Sequence, residues 1–205
     1  MLDEPTLERV RGYRKTYAAM LVSSLLSLLA SLVLSVEAID LAKNSAAKFT
    51  CDINAVVSCG KVARAWQANL LGFPNSFLGL ICEPVVIAVA VAGLGLVLFP
   101  KWFMKTALVI YGAGLIFAFW LLSQSFFVIK AFCPWCLLVT VSTVTVFSTM
   151  LRINVMENVW NLSERNHQRW VNFLNKGWGR IIYIAIYSVL FLAILFKYGH
   201  AILPN

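Results

Sequence analysis

Between Thr106 and Ile129 the chain carries no charged residue. A run of that length crosses the hydrocarbon core of a bilayer, which takes about 20 apolar residues in a helix. Four more segments pass the same test: Thr16–Ser35, Phe77–Phe99, Phe132–Leu151 and Ile181–Phe196. The first has no charge inside Ala18–Val36, the second carries Glu83 and Pro84 near its start, and the fourth is rich in Val, Thr and Ser. Of the 205 residues 60% are hydrophobic and 13% charged, which excludes an ordinary soluble domain, a disordered chain and a fibre. Inside lipid every backbone polar group needs an internal partner, so only helices or closed barrels span it. The runs are continuous rather than alternating, which predicts helices and an all-α integral membrane protein.

A secretory signal peptide is the competing reading of the first run, with Arg9, Arg11, Arg14 and Lys15 as its basic region. Its apolar stretch exceeds the roughly 7–15 residues of a signal core, so a retained helix is expected. Basic residues also set orientation, because they collect on the cytoplasmic side. Residues 1–15, the link at Lys101 and Lys105, and residues 152–180 hold eleven of the seventeen Lys and Arg. The expectation is a cytoplasmic tail, a cytoplasmic loop over 152–180, and a fifth span with an outer C-terminus over 181–205. The net charge of +8 is accounted for in this way, and no nucleic-acid partner is expected.

The longest outer segment is Ile39–Ser76. Within it Gly60–Leu71 places Val62, Trp66 and Leu70 at helical spacing, with Lys61, Arg64 and Gln67 on other faces. That pattern predicts a short amphipathic helix at the membrane surface, with plain loop as the alternative.

Four of the five cysteines share one side of the membrane whichever way the chain is oriented. Cys51 and Cys59 fall in the loop after the first span, and Cys133 and Cys136 open the fourth. With the N-terminus inside, that side is the oxidising one, where disulfides persist. Cys133-Pro134-Trp135-Cys136 places two thiols one helical turn apart. At a helix N-terminus, free N–H groups and the dipole favour a thiolate, and Pro134 suits the first turn. The motif fits thiol–disulfide exchange, half of a zinc site, or a structural disulfide. Zinc is disfavoured because His167 and His200 are remote in sequence and seven residues separate Cys51 from Cys59. No metal site is expected.

Two dithiol pairs on one face suggest a relay, in which the loop pair meets an external protein and the membrane pair meets something lipid-soluble. A quinone is the natural electron acceptor. Phe73, Phe77, Phe126, Phe127, Phe132 and Trp135 surround the site in sequence; most are packing residues, and two or three are expected to line a ring pocket.

These motifs resemble the vitamin K epoxide reductase family, in its bacterial disulfide-forming branch without a fused thioredoxin domain. The resemblance covers about 17–151. It rests on Cys51-Asp52 followed by Ser58-Cys59, on Gly72-Phe73-Pro74-Asn75-Ser76-Phe77-Leu78-Gly79 entering the second span, and on Cys133-Pro134-Trp135-Cys136. It implies a four-helix transmembrane bundle around a quinone, menaquinone or ubiquinone, over 16–151. An extracytoplasmic loop and its short helix would cap the bundle, and a fifth transmembrane helix would be added. It also implies roles. Cys51 exchanges with a DsbA-like thioredoxin-fold partner, Cys59 passes electrons to Cys133 through a transient disulfide, and Cys136 lies against the quinone. Asn75 hydrogen-bonds a quinone carbonyl, as a preorganised donor would. Phe77, Phe127 and Trp135 are the ring-pocket candidates. The implied enzyme is a quinone-linked oxidoreductase of the bacterial cytoplasmic membrane that supports disulfide formation in exported proteins. Two departures stand out: Ala65 where many members have Ser or Thr, and Thr140 where vertebrate members have tyrosine. Reduction of a quinone epoxide is the alternative substrate reading, and a thiol-based soft-metal protein the alternative class.

Four further features are set aside or held open. Cys82 reads as a small apolar residue. Glu83, an ionisable residue in a span, is a candidate proton relay but lies only about two turns from the outer end. Glu37, Asp40 and Lys43 read as a solvated helix end. His167 and His200 read as surface residues.

Overall fold

A computed structural model describes residues 11–54 and 56–202, together with Glu4 and Glu8. Arg9 of the basic tail lies outside the described residues, as do the side chains of Arg180 and His200. Among the described residues the protein is all-α, and five helices there are long and apolar enough to cross a membrane.

The first span forms α1, Arg14–Lys43, and it is turned inside out relative to a helix in water. Ser24, Ser27, Ser31 and Ser35 recur every three or four residues and are buried along one face, while Val22, Leu25, Leu29 and Leu32 are exposed. Small residues let backbones approach closely where lipid supplies no hydrophobic drive between helices. The second span, α3 (Ser76–Leu94), uses that face, and it packs along α1. A Cβ built on Gly79 would lie 2.0 Å from Ser31 Oγ, so only glycine permits this approach.

The third and fourth spans are α4 (Lys101–Gln124) and α5 (Pro134–Met156). α5 packs against both α1 and α4. Its many hydroxyls are satisfied within the helix: Thr140, Thr143 and Thr145 donate to the carbonyls of Cys136, Val139 and Val141 at 2.9, 2.8 and 3.0 Å. At the end away from the loop an apolar core gathers Tyr17, Met20, Val86, Met104 and Val146. α3 and α4 face each other across a cavity of about 660 Å³.

The link over 152–180 is not plain loop, because it contains α6 (Glu164–Asn175) before α7 (Trp178–Ile202). α7 touches the bundle at two levels. Tyr187 and Thr145 share a hydrogen bond of 2.7 Å, and the Tyr198 ring lies against Phe126 and Phe132.

The span boundaries differ from the sequence expectation in both directions. α1 runs on from Ser35 to Lys43, because Glu37 is sheltered there instead of ending the helix in water. α3 stops at Leu94 rather than Phe99, where Gly95 and the positive φ of Leu96 turn the chain. The surface helix is interrupted. α2 (Cys59–Ala63) ends at Arg64, Ala65 is extended, and a 3-10 turn follows over Trp66–Asn69. Gln67 is buried on that turn and its amide nitrogen donates to Gln124 Oε1 at 3.4 Å, which pulls the segment inward.

Candidate active site

The loop after α1 is fastened at three places. Glu37 Oε1 accepts hydrogen bonds from the N–H and hydroxyl of Thr50 at 2.7 and 2.6 Å, fixing the residue before Cys51. Asp52 then gathers the loop. Its Oδ2 accepts from the Phe49 N–H at 3.0 Å, and its Oδ1 accepts from the Ser58 hydroxyl at 2.7 Å and the Gly60 N–H at 2.8 Å. Burial opposes ionisation of this carboxyl, but those hydrogen bonds and the nearby Arg64 outweigh it and hold it below the usual range. A Cβ on Gly60 would meet Asp52 Oδ2 at 2.6 Å.

The third fastening sets the register of the cysteines. α4 closes in a π-helical turn, Ser125–Ile129, and Lys130 takes a left-handed conformation with φ 53°. The chain then runs extended beside the loop, with a parallel bridge between Val57 and Phe132. The Phe132 N–H donates to the Val56 carbonyl at 2.7 Å, and the Ser58 N–H donates to the Phe132 carbonyl at 3.0 Å. Cys59 and Cys133 each come immediately after a residue of this pairing, which holds them beside each other.

Phe49, Cys51, Cys59 and Cys133 form one buried cluster, with Cys136 and Trp135 packed against it. Cys51 and Cys59 are joined by a disulfide with Cα atoms 5.6 Å apart. Cys133 and Cys136 are free thiols. Cys133 caps α5, and its sulfur accepts the Cys136 N–H at 3.1 Å. Two residues after Cys51, Ile53 is 74% exposed, so the disulfide lies close in the chain to a surface that another protein can reach.

Cys59, Cys133 and Cys136 also line the cavity between α3 and α4, together with Asn75, Glu83 and Thr140. Gly72 makes the tight turn before Asn75 with φ 81°. Asn75 Nδ2 donates to the Gln67 carbonyl at 2.6 Å, while Oδ1 is buried without a partner. The volume lies in the range of small-molecule sites, and the walls are mostly apolar. Apolar walls with a thiol pair at one end fit a quinone, and the Asn75 amide oxygen is an acceptor for a hydroxyl of its reduced form. Ile81, Val85 and Ile110 line the cavity and are also 65%, 56% and 59% exposed, so it opens sideways between α3 and α4.

A sequence model of the vitamin K epoxide reductase family matches residues 18–151. The chain belongs to that family. A search of curated proteins finds no match to it. The vitamin K epoxide reductase family comprises membrane oxidoreductases that use quinones as electron partners and act with thioredoxin-like proteins. The family match takes in α1 to α5, so α6 and α7 lie beyond it.

Not every residue singled out in the sequence reaches the cavity of this family member. Asn75 does. Trp135 packs on the cysteine cluster, Phe77 stacks on Phe73 with centroids 6.3 Å apart, and Phe127 is 75% exposed with the Lys197 ammonium over its ring. None of these three lines the cavity; Phe117 and Phe132 do. Ring type and nearness in sequence were the only signals for Phe127, and the π turn swings its side chain outward.

Three other residues differ from their sequence reading. Glu37 is buried, with Oε1 held by the N–H and hydroxyl of Thr50 in place of water. Glu83 is buried at mid-span, beside Ser27 and Tyr111, and does not reach an interface. His167 bonds the Val155 carbonyl at 3.0 Å, which ties α6 to α5. Among the described residues no group of three or more His, Cys, Asp or Glu is placed to hold a metal ion.

Proposed function

We propose that this protein oxidises the dithiol of a DsbA-like thioredoxin-fold partner and delivers the electrons to a membrane quinone, menaquinone or ubiquinone. The site faces the extracytoplasmic side of a bacterial inner membrane, and the activity supports disulfide formation in exported proteins. One observation carries this reading: a disulfide and a dithiol sit in one buried cluster at the mouth of an apolar cavity.

Each pair has its own task. A partner thiolate attacks Cys51 Sγ, and Cys59 leaves as a thiolate. The pairing of Val57 with Phe132 keeps that thiolate beside Cys133. When Cys133 and Cys136 are oxidised, Cys59 attacks Cys133 Sγ and Cys136 leaves. The partner's second thiolate then attacks the partner sulfur bonded to Cys51, releasing the partner oxidised and Cys51 as a thiolate, and Cys51 attacks Cys59 Sγ to free Cys133. Two thiols of the partner have lost two electrons and two protons, and Cys133 and Cys136 have gained them. When bound, the quinone supplies the two-electron acceptor that returns this pair to the disulfide. Asn75 stands at the cavity wall to orient it. Topology supports the assignment of sides. The loop end carries Lys43, Lys48, Lys61, Arg64, Lys130 and Lys197, and the opposite end carries the larger basic share. The sideways opening suits a substrate that travels in lipid.

Purified protein in detergent, given the reduced partner and a short-chain quinone, tests the reading. Turnover is expected in wild type and in none of Cys51→Ala, Cys59→Ala, Cys133→Ala and Cys136→Ala. Absence of wild-type turnover with either quinone class overturns it. Turnover that needs a quinone epoxide in place of quinone would move the assignment to epoxide reduction.

A further inference from the structure

Glu83 is 3% exposed, halfway along the bundle. Its Oε1 accepts the Ser27 hydroxyl of α1 at 2.7 Å and the Tyr111 hydroxyl of α4 at 2.9 Å. Both partners are neutral. Its Oε2 is buried with no partner, and the residue lines the cavity. An ionisable group inside a membrane is costly and marks function by default. A buried polar atom without a partner is costly, and this one belongs to a residue in the cavity wall, where a ligand atom can meet it.

The carboxyl's place along α3 is equally informative. Asn75 and Glu83 are eight residues apart, about 12 Å along a helix at 1.5 Å per residue. The cavity thus has one polar group near the thiols and another deep inside, each with an oxygen lacking a partner. A quinone has two oxygens at opposite ends of its ring, and both need a proton on reduction.

We propose that Glu83 is the acid that delivers a proton to a quinone oxygen at the deep end of this cavity. The proposal rests on the quinone reading above and adds a residue to it. The electron and proton balance is simple. Cys133 and Cys136 lose two electrons and two protons as their Sγ–Sγ bond forms, and the quinone becomes a hydroquinone. Glu83 gives one proton to the deep oxygen and is recharged by one of the two that the thiols release. The hydrogen bonds from Ser27 and Tyr111 to Oε1 leave Oε2 as the oxygen that carries the mobile proton. The titratable groups around Glu83 are Tyr111 from α4 and its neighbour Cys82 on α3; α1 contributes Ser27, and Thr143 of α5 stands beside Tyr111.

Two measurements on detergent-purified full-length protein test this, with a short-chain ubiquinone as probe. The first is infrared spectroscopy of the protein with and without the probe. A buried carboxylic-acid band is expected in wild type, shifted when the probe is added and missing in Glu83→Gln. Should Glu83→Gln not fold, Tyr111→Phe takes its place, since losing one hydrogen bond to Oε1 moves the same band. A band that does not respond to the probe overturns the proposal. The second measurement is single-turnover oxidation of the pre-reduced dithiol. Glu83→Gln is expected to slow it about 100-fold at neutral pH, the usual scale of general-acid loss, with probe affinity kept within threefold. The rate should recover as pH is lowered and solvent protons substitute. An unchanged rate, or a pH-independent loss matched by lost affinity, overturns the proposal while wild-type turnover leaves the quinone reading standing. If wild type does not turn over, both fall together.

Discussion

Asp52 shows how much of this site depends on one side chain beside a cysteine rather than on the cysteine. It collects three donors from both ends of the Cys51–Cys59 loop, and they hold its carboxyl below the usual range. A carboxyl lowered in the native state contributes stability above its unfolded value, about pH 4. That contribution is lost as pH falls through the lower native value. The loop of wild type should therefore loosen only below about pH 4, seen as faster proteolysis near Ile53. Asp52→Asn should leave the loop loosened at neutral pH and abolish the acid transition. Asn75→Ala should raise the quinone KM roughly 10-fold, in keeping with loss of a hydrogen bond worth about 1–2 kcal/mol, and change kcat less. At this scale the gathering of the four cysteines was legible, because their type and spacing are local, and Asn75, which lines the cavity, stood out through its family-like motif. Glu37 was not, because Thr50, the residue that shelters it, sits beyond a turn that no periodicity reports.

At the scale of elements, the five spans were legible because continuous apolar runs need no tertiary information. The inner face of α1 was not. A serine every three or four residues looks like dilution of an apolar run until Gly79 of α3 is set against it. Gly79→Ala should force the two helices apart. It should cost about 1–3 kcal/mol, measured as a lower thermal midpoint in detergent, and should disturb the cavity wall. The break in the surface helix at Ala65 was also invisible, since it comes from Gln67 reaching inward to Gln124. The Val57–Phe132 bridge is the element-level device that matters most for chemistry. Ser58→Pro removes the N–H that bonds the Phe132 carbonyl. With Cys136→Ala to trap the intermediate, Ser58→Pro should reduce the yield of a Cys59–Cys133 disulfide on non-reducing peptide mapping.

Across the whole molecule, five helices among the described residues are long and apolar enough to cross a membrane, and five crossings would put Arg14 and Lys197 on opposite sides. Reporter fusions should show the Asn54 and Lys197 ends exported and the Glu157 and Glu164 region retained; the reverse pattern would place the cysteines on the reducing side and contradict the proposed function. The sideways opening of the cavity has its own consequence. A molecule that enters through the wall of a bundle is counted per lipid, not per litre. Its supply depends on its mole fraction in the bilayer and on how fast it diffuses in two dimensions. The apparent KM for quinone should therefore rise in proportion to added detergent or lipid at fixed total quinone, and any bulky lipophile abundant in the same membrane becomes a competitor for the gap between α3 and α4.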